Sequence, residues 1–111
     1  MGLTNTAALL PNTLDLLILR TLVAGPLHGY AIAQRLRVVS DDVLQVGESS
    51  LYPALQRLLA ARLVRAEWGA SENNRRARFY TMTAAGKKRL DAELRAYERM
   101  SEAIGRVLKT V

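Results

Sequence analysis

Residues 49–68 read SSLYPALQRLLAARLVRAEW, and within this stretch the spacing of apolar side chains changes. Leu51, Leu55, Leu58 and Leu59 recur at intervals of three and four, the repeat of a helix with one buried face. From Val64 the repeat shortens: Val64, Ala66 and Trp68 alternate with Arg65 and Glu67, as in a half-buried strand. A polar, turn-rich run from Gly69 to Arg75 follows, and then a second extended run from Arg76 to Met82. Helix, strand, turn and strand in that order predict a helix leading into a β-hairpin with a basic tip. Phe79, Tyr80 and Met82 are the apolar residues of the second strand, and either Phe79 or Tyr80 could face inward.

Upstream, Ser49 or Ser50 can open the helix, because a hydroxyl accepts hydrogen bonds from the unpaired amides of a first turn. Pro53 is tolerated in or next to that turn, where an amide proton is not needed. A first helix begins at Asn12 or Thr13 as cap, with Asp15 in its first turn and Leu14, Leu17, Ile18 and Leu22 at helical spacing. Gly25-Pro26 stops it. A second helix runs from about Gly29 to Val38, with Ile32, Leu36 and Val39 on one side. Ser40-Asp41-Asp42 reads as a turn, leading into a loop through Gly47.

Downstream, Thr83 can cap a last helix that runs to near the C-terminus. Leu90, Leu94, Tyr97, Ser101, Ile104, Leu108 and Val111 alternate steps of four and three, a heptad seam interrupted by Ser101. A small domain has too little core to cover such a seam. Pairing with the same helix of a second chain would bury it; packing back onto helix one is the alternative. The expected interface takes Leu14 and Ile18 from helix one and Leu90, Leu94, Tyr97, Ile104 and Leu108 from the last helix. The organisation is then an arm over 1–11, a DNA-binding domain over 12–83 and a dimerisation helix over 84–111.

Composition narrows the function. With 111 residues, half of them hydrophobic and 23% charged, the chain is expected to fold as one domain. It has no cysteine and a single histidine, His28, so disulfides, thiolate metal sites, a cysteine nucleophile and a two-histidine metal site within one subunit are excluded. No metal and no cofactor is expected. No apolar run approaches the roughly 20 residues of a membrane span, and Met1 to Asn5 lack the basic start of a signal peptide; a cytoplasmic protein without membrane partners is expected. The net charge is +6, and it is local: Arg57 to Arg89 contains nine basic and two acidic residues. That is what a polyanion-binding face would look like, and by itself it fits a solvated basic surface or an anionic membrane surface equally. Asp41, Asp42 and Glu48 read as solvated loop carboxylates, and no carboxylate pair is fixed in a predicted pocket for acid–base work, so an enzyme is not expected.

The predicted architecture is mainly α with a small β-hairpin: a winged helix-turn-helix plus a long C-terminal dimerisation helix. In such a fold the third helix enters the major groove and the hairpin lies over the backbone or minor groove of double-stranded DNA. Arg75, Arg76 and Arg78 supply the charge that phosphate contact requires, with Asn73 and Asn74 as short amide donors. At the helix start Ser49, Ser50, Tyr52 and Gln56 present groups suited to phosphates or base edges. Trp68 reads as wing-base packing or as a ligand contact, and His28 as a hydrogen-bonding residue at a helix start.

Three segments in this order are distinctive: Leu27-His28-Gly29-Tyr30, Ser50-Leu51-Tyr52-Pro53-Ala54-Leu55, and the run from Arg76 through Phe79-Tyr80 to Thr83 and Gly86. With Leu14 to Leu19 they make the chain resemble the PadR family of bacterial transcriptional regulators over nearly its whole length, in the branch with one C-terminal helix. The resemblance implies a homodimeric winged-helix protein, usually a repressor that binds an inverted repeat. It also implies that Tyr30 lies near the DNA backbone, that Ser49, Ser50, Tyr52 and Pro53 start the recognition helix, and that Asn73 to Arg76 form the wing tip. Some family members release DNA on binding flat aromatic molecules near the dimer interface, which implies a small-molecule effector. Here the last helix carries Tyr97 and no tryptophan.

Overall fold

The structure is a computed structural model that describes residues 11–110. The arm at residues 1–10, and Val111 at the end of the seam, lie outside the described residues. In chain order the elements are α1 (Pro11–Thr21), β1 (Leu27–His28), α2 (Gly29–Val39), α3 (Glu48–Ala60), β2 (Val64–Ala70), β3 (Arg76–Met82) and α4 (Ala84–Lys109). The strands form one antiparallel sheet in the order β1-β3-β2. This is a winged helix followed by a long C-terminal helix. Pro11 belongs to α1, so the predicted arm over 1–11 overlaps the helix by a residue. Asn12 and Thr13 lie inside α1, and Asp15 falls beyond its first turn.

The core joins one face of each helix to the base of the hairpin. Ile18, Leu19, Ile32, Leu51, Leu55 and Leu58 are its largest fully buried side chains, with Leu14, Leu36, Leu63, Val64, Tyr80 and Leu90 around them. Tyr80 therefore takes the inward place that the sequence left open between it and Phe79. Val39, predicted on the inner side of α2, is exposed, because the core-facing residues of that helix end at Leu36. The α1 and α3 helices are also tied at the surface, where Arg57 Nη2 donates to Asp15 Oδ1 at 2.8 Å.

Helix α3 starts one residue earlier than its serines suggest. Gly47 is the N-cap residue and contributes no side-chain bond, while its carbonyl accepts from the amides of Ser50 and Leu51. Pro53 is thus past the first turn, and the bond its amide would make to the carbonyl four residues back is missing. At its far end α3 closes in a Schellman turn: Leu63 N–H donates to Leu58 O at 2.9 Å and Arg62 N–H to Leu59 O at 3.0 Å. Arg62 takes the left-handed conformation, φ 61°, that this turn requires. Buried Leu63 beside buried Leu58 completes the motif and aims β2 back along the core.

Candidate nucleic-acid interface

The hairpin register decides which side chains share a face. Val64, Ala66, Trp68 and Ala70 stand opposite Met82, Tyr80, Arg78 and Arg76 respectively. In a sheet these alternate residues project to one side. At the base that side is core: Val64 and Tyr80 are buried. Toward the tip the same side leaves the body of the molecule, and Trp68, Arg76 and Arg78 are exposed. Sequence alternation placed Trp68 on the inner face, and so it is, but the strand outruns the layer beneath it. The indole is 60% exposed rather than packed into the wing base.

This emergent face is one wall of a groove of about 430 Å³. Its lining is His28, Gly29 and Tyr30 from the start of α2, Tyr52 and Gln56 from α3, and Trp68, Arg76, Ala77, Arg78 and Tyr80 from the wing. Gly29 lies close to Tyr52 there. A methyl group on it would meet the Tyr52 hydroxyl at 3.0 Å and its ring carbons at 3.3 Å, so the exposed tyrosine would have to shift slightly to admit a side chain. Of the residues singled out from sequence, the groove unites Tyr30, Tyr52, Gln56, Arg76 and Arg78. Ser49, Pro53, Asn74 and Arg75 are exposed outside its lining, and Ser50 is half-buried. Asn73 lines a smaller neighbouring hollow with His28, Tyr30, Ser71, Glu72 and Ala77.

The wing tip has its own logic. Ser71 N–H donates to Arg75 O and Asn74 N–H to Ser71 O, both at 2.8 Å. Asn74 adopts φ 58°, a conformation asparagine tolerates better than most side chains. Its place in the sequence is explained by the turn before any ligand is invoked. Arg75, Arg76 and Arg78 form no ion pair among the described residues, so their charge is uncompensated. Arg57, counted with the basic cluster, is occupied by Asp15.

His28 joins α2 to the wing. Its Nδ1 accepts from Ala31 N–H at 3.2 Å, which caps α2 and leaves the proton of the neutral ring on Nε2. That nitrogen lies 3.5 Å from Glu72 Oε1, and the ring meets Phe79 edge-on at 5.3 Å between centroids. The Glu72 carboxyl is held below the usual carboxylate range, first by its own backbone amide and then by His28. Burial pushes the Tyr80 phenol up, and Arg78 offsets this in part.

The expected dimer surface divides. Leu14, Ile18 and Leu90 are buried within the protomer, Ile18 completely, and so have little or no area to offer a partner. Periodicity marks them as apolar without saying what covers them; α1 and the first turns of α4 cover each other. Beyond Leu90 the seam is open: Leu94, Tyr97, Ile104 and Leu108 are exposed, joined by Met100 and Val107, which a strict heptad omits. His28, read from sequence as a helix-start hydrogen-bonding residue, and Trp68, read as wing-base packing or a ligand contact, also line the groove, though neither was among the expected DNA contacts. Trp68 reaches it by following the inner face of the hairpin past the last residue its core can cover, and His28 enters from β1.

Comparison with known proteins agrees with this geometry. The transcriptional regulator PadR-like family matches residues 18–92. An uncharacterised 37.1 kDa protein of a Streptomyces fradiae transposon is 39% identical over 99 residues, 89% of this chain. The chain spans about a quarter of that relative's length, 26%. A transcriptional regulator from Clostridium thermocellum superposes with a TM-score of 0.78 at 27% identity, over 86% of this chain and 92% of that one. A putative transcriptional regulator from Thermoplasma acidophilum does so with a TM-score of 0.75 at 28% identity, over 91% and 95%. Among the described residues no helix is long and apolar enough to cross a membrane.

Proposed function

The chain belongs to the PadR-like family of transcriptional regulators, and from that premise we propose that it is a homodimeric repressor that grips an inverted-repeat operator. Residues 12–83 serve as the DNA-binding part and 84–111 as the dimerisation arm. The family is one of regulators, not an enzyme class. The observation that carries the reading is the groove, in which the start of α2, the recognition helix α3 and two unpaired wing arginines face one space. Exposed polar side chains of α3 (Ser49, Tyr52 and Gln56) suit base edges and phosphates, while Arg75, Arg76 and Arg78 suit the phosphate backbone. Tyr30, Ser50, Pro53, Asn73 and Asn74 complete the proposed contact surface.

The exposed stripe of α4 supports pairing of two copies. Two recognition helices held by such an arm are set a fixed distance apart and match half-sites about one helical turn apart. An apolar, flat effector lodged between subunits would need to move each α3 only slightly to spoil both contacts. A protein that works on DNA in this way resides in the cytoplasm. Operators with roughly five extra base pairs, half a turn, between half-sites test the mechanism. A rigid dimer loses most of its affinity for them in a mobility-shift assay. Undiminished affinity would show two subunits binding independently.

A further inference from the structure

We infer that Trp68 is a positioning residue for DNA binding, one that holds Arg76 in its phosphate-binding pose before DNA arrives. The inference rests on the DNA-binding reading above and extends it to a residue outside the contact surface proposed there. The Arg76 guanidinium carbon lies 4.5 Å from the centre of the Trp68 ring. The register makes the pair diagonal on the inner face of the hairpin, since Trp68 stands opposite Arg78 and Arg76 opposite Ala70. Diagonal neighbours of this kind come within reach when one of them is a large aromatic.

Three features separate this contact from ordinary packing. The indole is mostly exposed, in a wing whose base alone reaches the core, so solvent exclusion gives little reason for a tryptophan there. Arg76 has no carboxylate partner among the described residues, so the ring is the group that orders it. Both side chains line the groove beside Tyr52 and Gln56 of the recognition helix. Attraction to the ring face uses none of the five N–H donors of a guanidinium, and these stay available to a phosphate. A free arginine gives up much rotamer freedom when it docks; one already lying on an indole has given up part of it. Ala70, the residue directly opposite Arg76, has no group that could do this.

The test is a double-mutant cycle with a short duplex of arbitrary sequence at low salt, because phosphate contacts do not need the operator. Trp68→Leu should weaken binding about two- to five-fold, the range expected of an exposed cation–π contact. In an Arg76→Ala background the same change should do nothing. Trp68→Phe should restore most of the loss. Trp68 is the sole tryptophan, so its emission in the DNA-free protein should shift on Arg76→Ala, which checks the pairing without DNA. Equal losses from Trp68→Leu in both backgrounds would mean a structural role and overturn the inference alone, as would Trp68→Phe behaving like Trp68→Leu. A native chain that binds no duplex at low salt would overturn the DNA reading, and this inference with it.

Discussion

Replacing Gly86 by alanine should destabilise the protein, against the usual preference of helices for alanine. Gly86 lies in the first turn of α4, where its amide donates to the Thr83 hydroxyl oxygen at 3.0 Å. A methyl group at Gly86 would drive into the carbonyl oxygen of Leu63 and come within 2.8 Å of Met82 Cγ. That carbonyl is not free to retreat, since it accepts from Thr83 N–H at 3.0 Å, and the Thr83 hydroxyl donates to Arg62 O at 2.8 Å. If α4 moves away, it gives up the cap, worth about 1 kcal/mol, and the Thr83–Leu63 bond, worth about another 1 kcal/mol. If it stays, overpacking costs about 1–3 kcal/mol. The helical preference for alanine returns at most about 1 kcal/mol. The net loss is about 1–2 kcal/mol if α4 moves and up to about 2–3 kcal/mol if it stays. Urea unfolding, followed by circular dichroism at fixed protein concentration, measures it directly. Gly105→Ala is the control: nothing lies within 4 Å of a methyl group there, so it should gain about 0.5–1 kcal/mol. If the two substitutions shift the midpoint alike, the close contact between α4 and the end of α3 does not govern this joint.

Three further outcomes follow from the same geometry. Leu94→Glu with Ile104→Glu puts charge on the exposed stripe of α4 and should give monomers by light scattering that bind DNA weakly; a native monomer would refute the arm. Arg75→Ala should weaken all duplexes similarly and lower the salt slope by about one unit per lost phosphate contact, whereas Gln56→Ala should weaken operator more than random DNA. Equal losses on both DNAs would remove Gln56 from base reading. Because burial raises the Tyr80 phenol, the unfolded chain loses this proton first as pH climbs past about 10. Its contribution is complete below that pH and is lost as pH rises through the higher folded value. Denaturant midpoints of the native chain should therefore fall more steeply in alkali than those of Tyr80→Phe, and parallel curves would contradict the assignment.

Most of the fold was legible because its elements are long enough to repeat. The buried face of α3, the alternation of β2 and the Thr83 cap of α4 all stand where spacing puts them. What escaped detection was short or lacked its own pattern. Strand β1 has only Leu27 and His28, paired with Tyr80 and Phe79, and no period can appear in two residues. Gly47 displaced the serines as N-cap of α3, because a cap can be made by backbone alone. Leu14, Ile18 and Leu90 show the deeper limit. A heptad records which residues are apolar, and whether a helix of the same chain or of another covers them depends on tertiary packing that spacing does not encode. The groove was partly legible: Tyr52, Gln56, Arg76 and Arg78 were read from chemistry and Tyr30 from the resemblance, while the choice for Trp68 between wing-base packing and a ligand contact needed the length of the wing beyond the core.

One strand face does two jobs here, and this ties the stability of the domain to the wall of the groove. The register that buries Val64 and Tyr80 also presents Trp68, Arg76 and Arg78 to the groove. A slip of one residue would turn every one of these side chains to the other side, losing the core and the basic wall together. The wing therefore cannot adjust its arginines by sliding; it adjusts only by bending beyond Ala66, where the core support ends. His28 restrains that bend from the opposite side of the sheet, its ring against Phe79 and its Nε2 toward Glu72 near the tip. The Arg76–Trp68 contact lies wholly within the wing, where it stiffens the hairpin beyond Ala66. The His28 contacts thus set the angle of the wing to the body, and in the DNA complex proposed above that angle would align the wing tip and α3 on the same stretch of duplex.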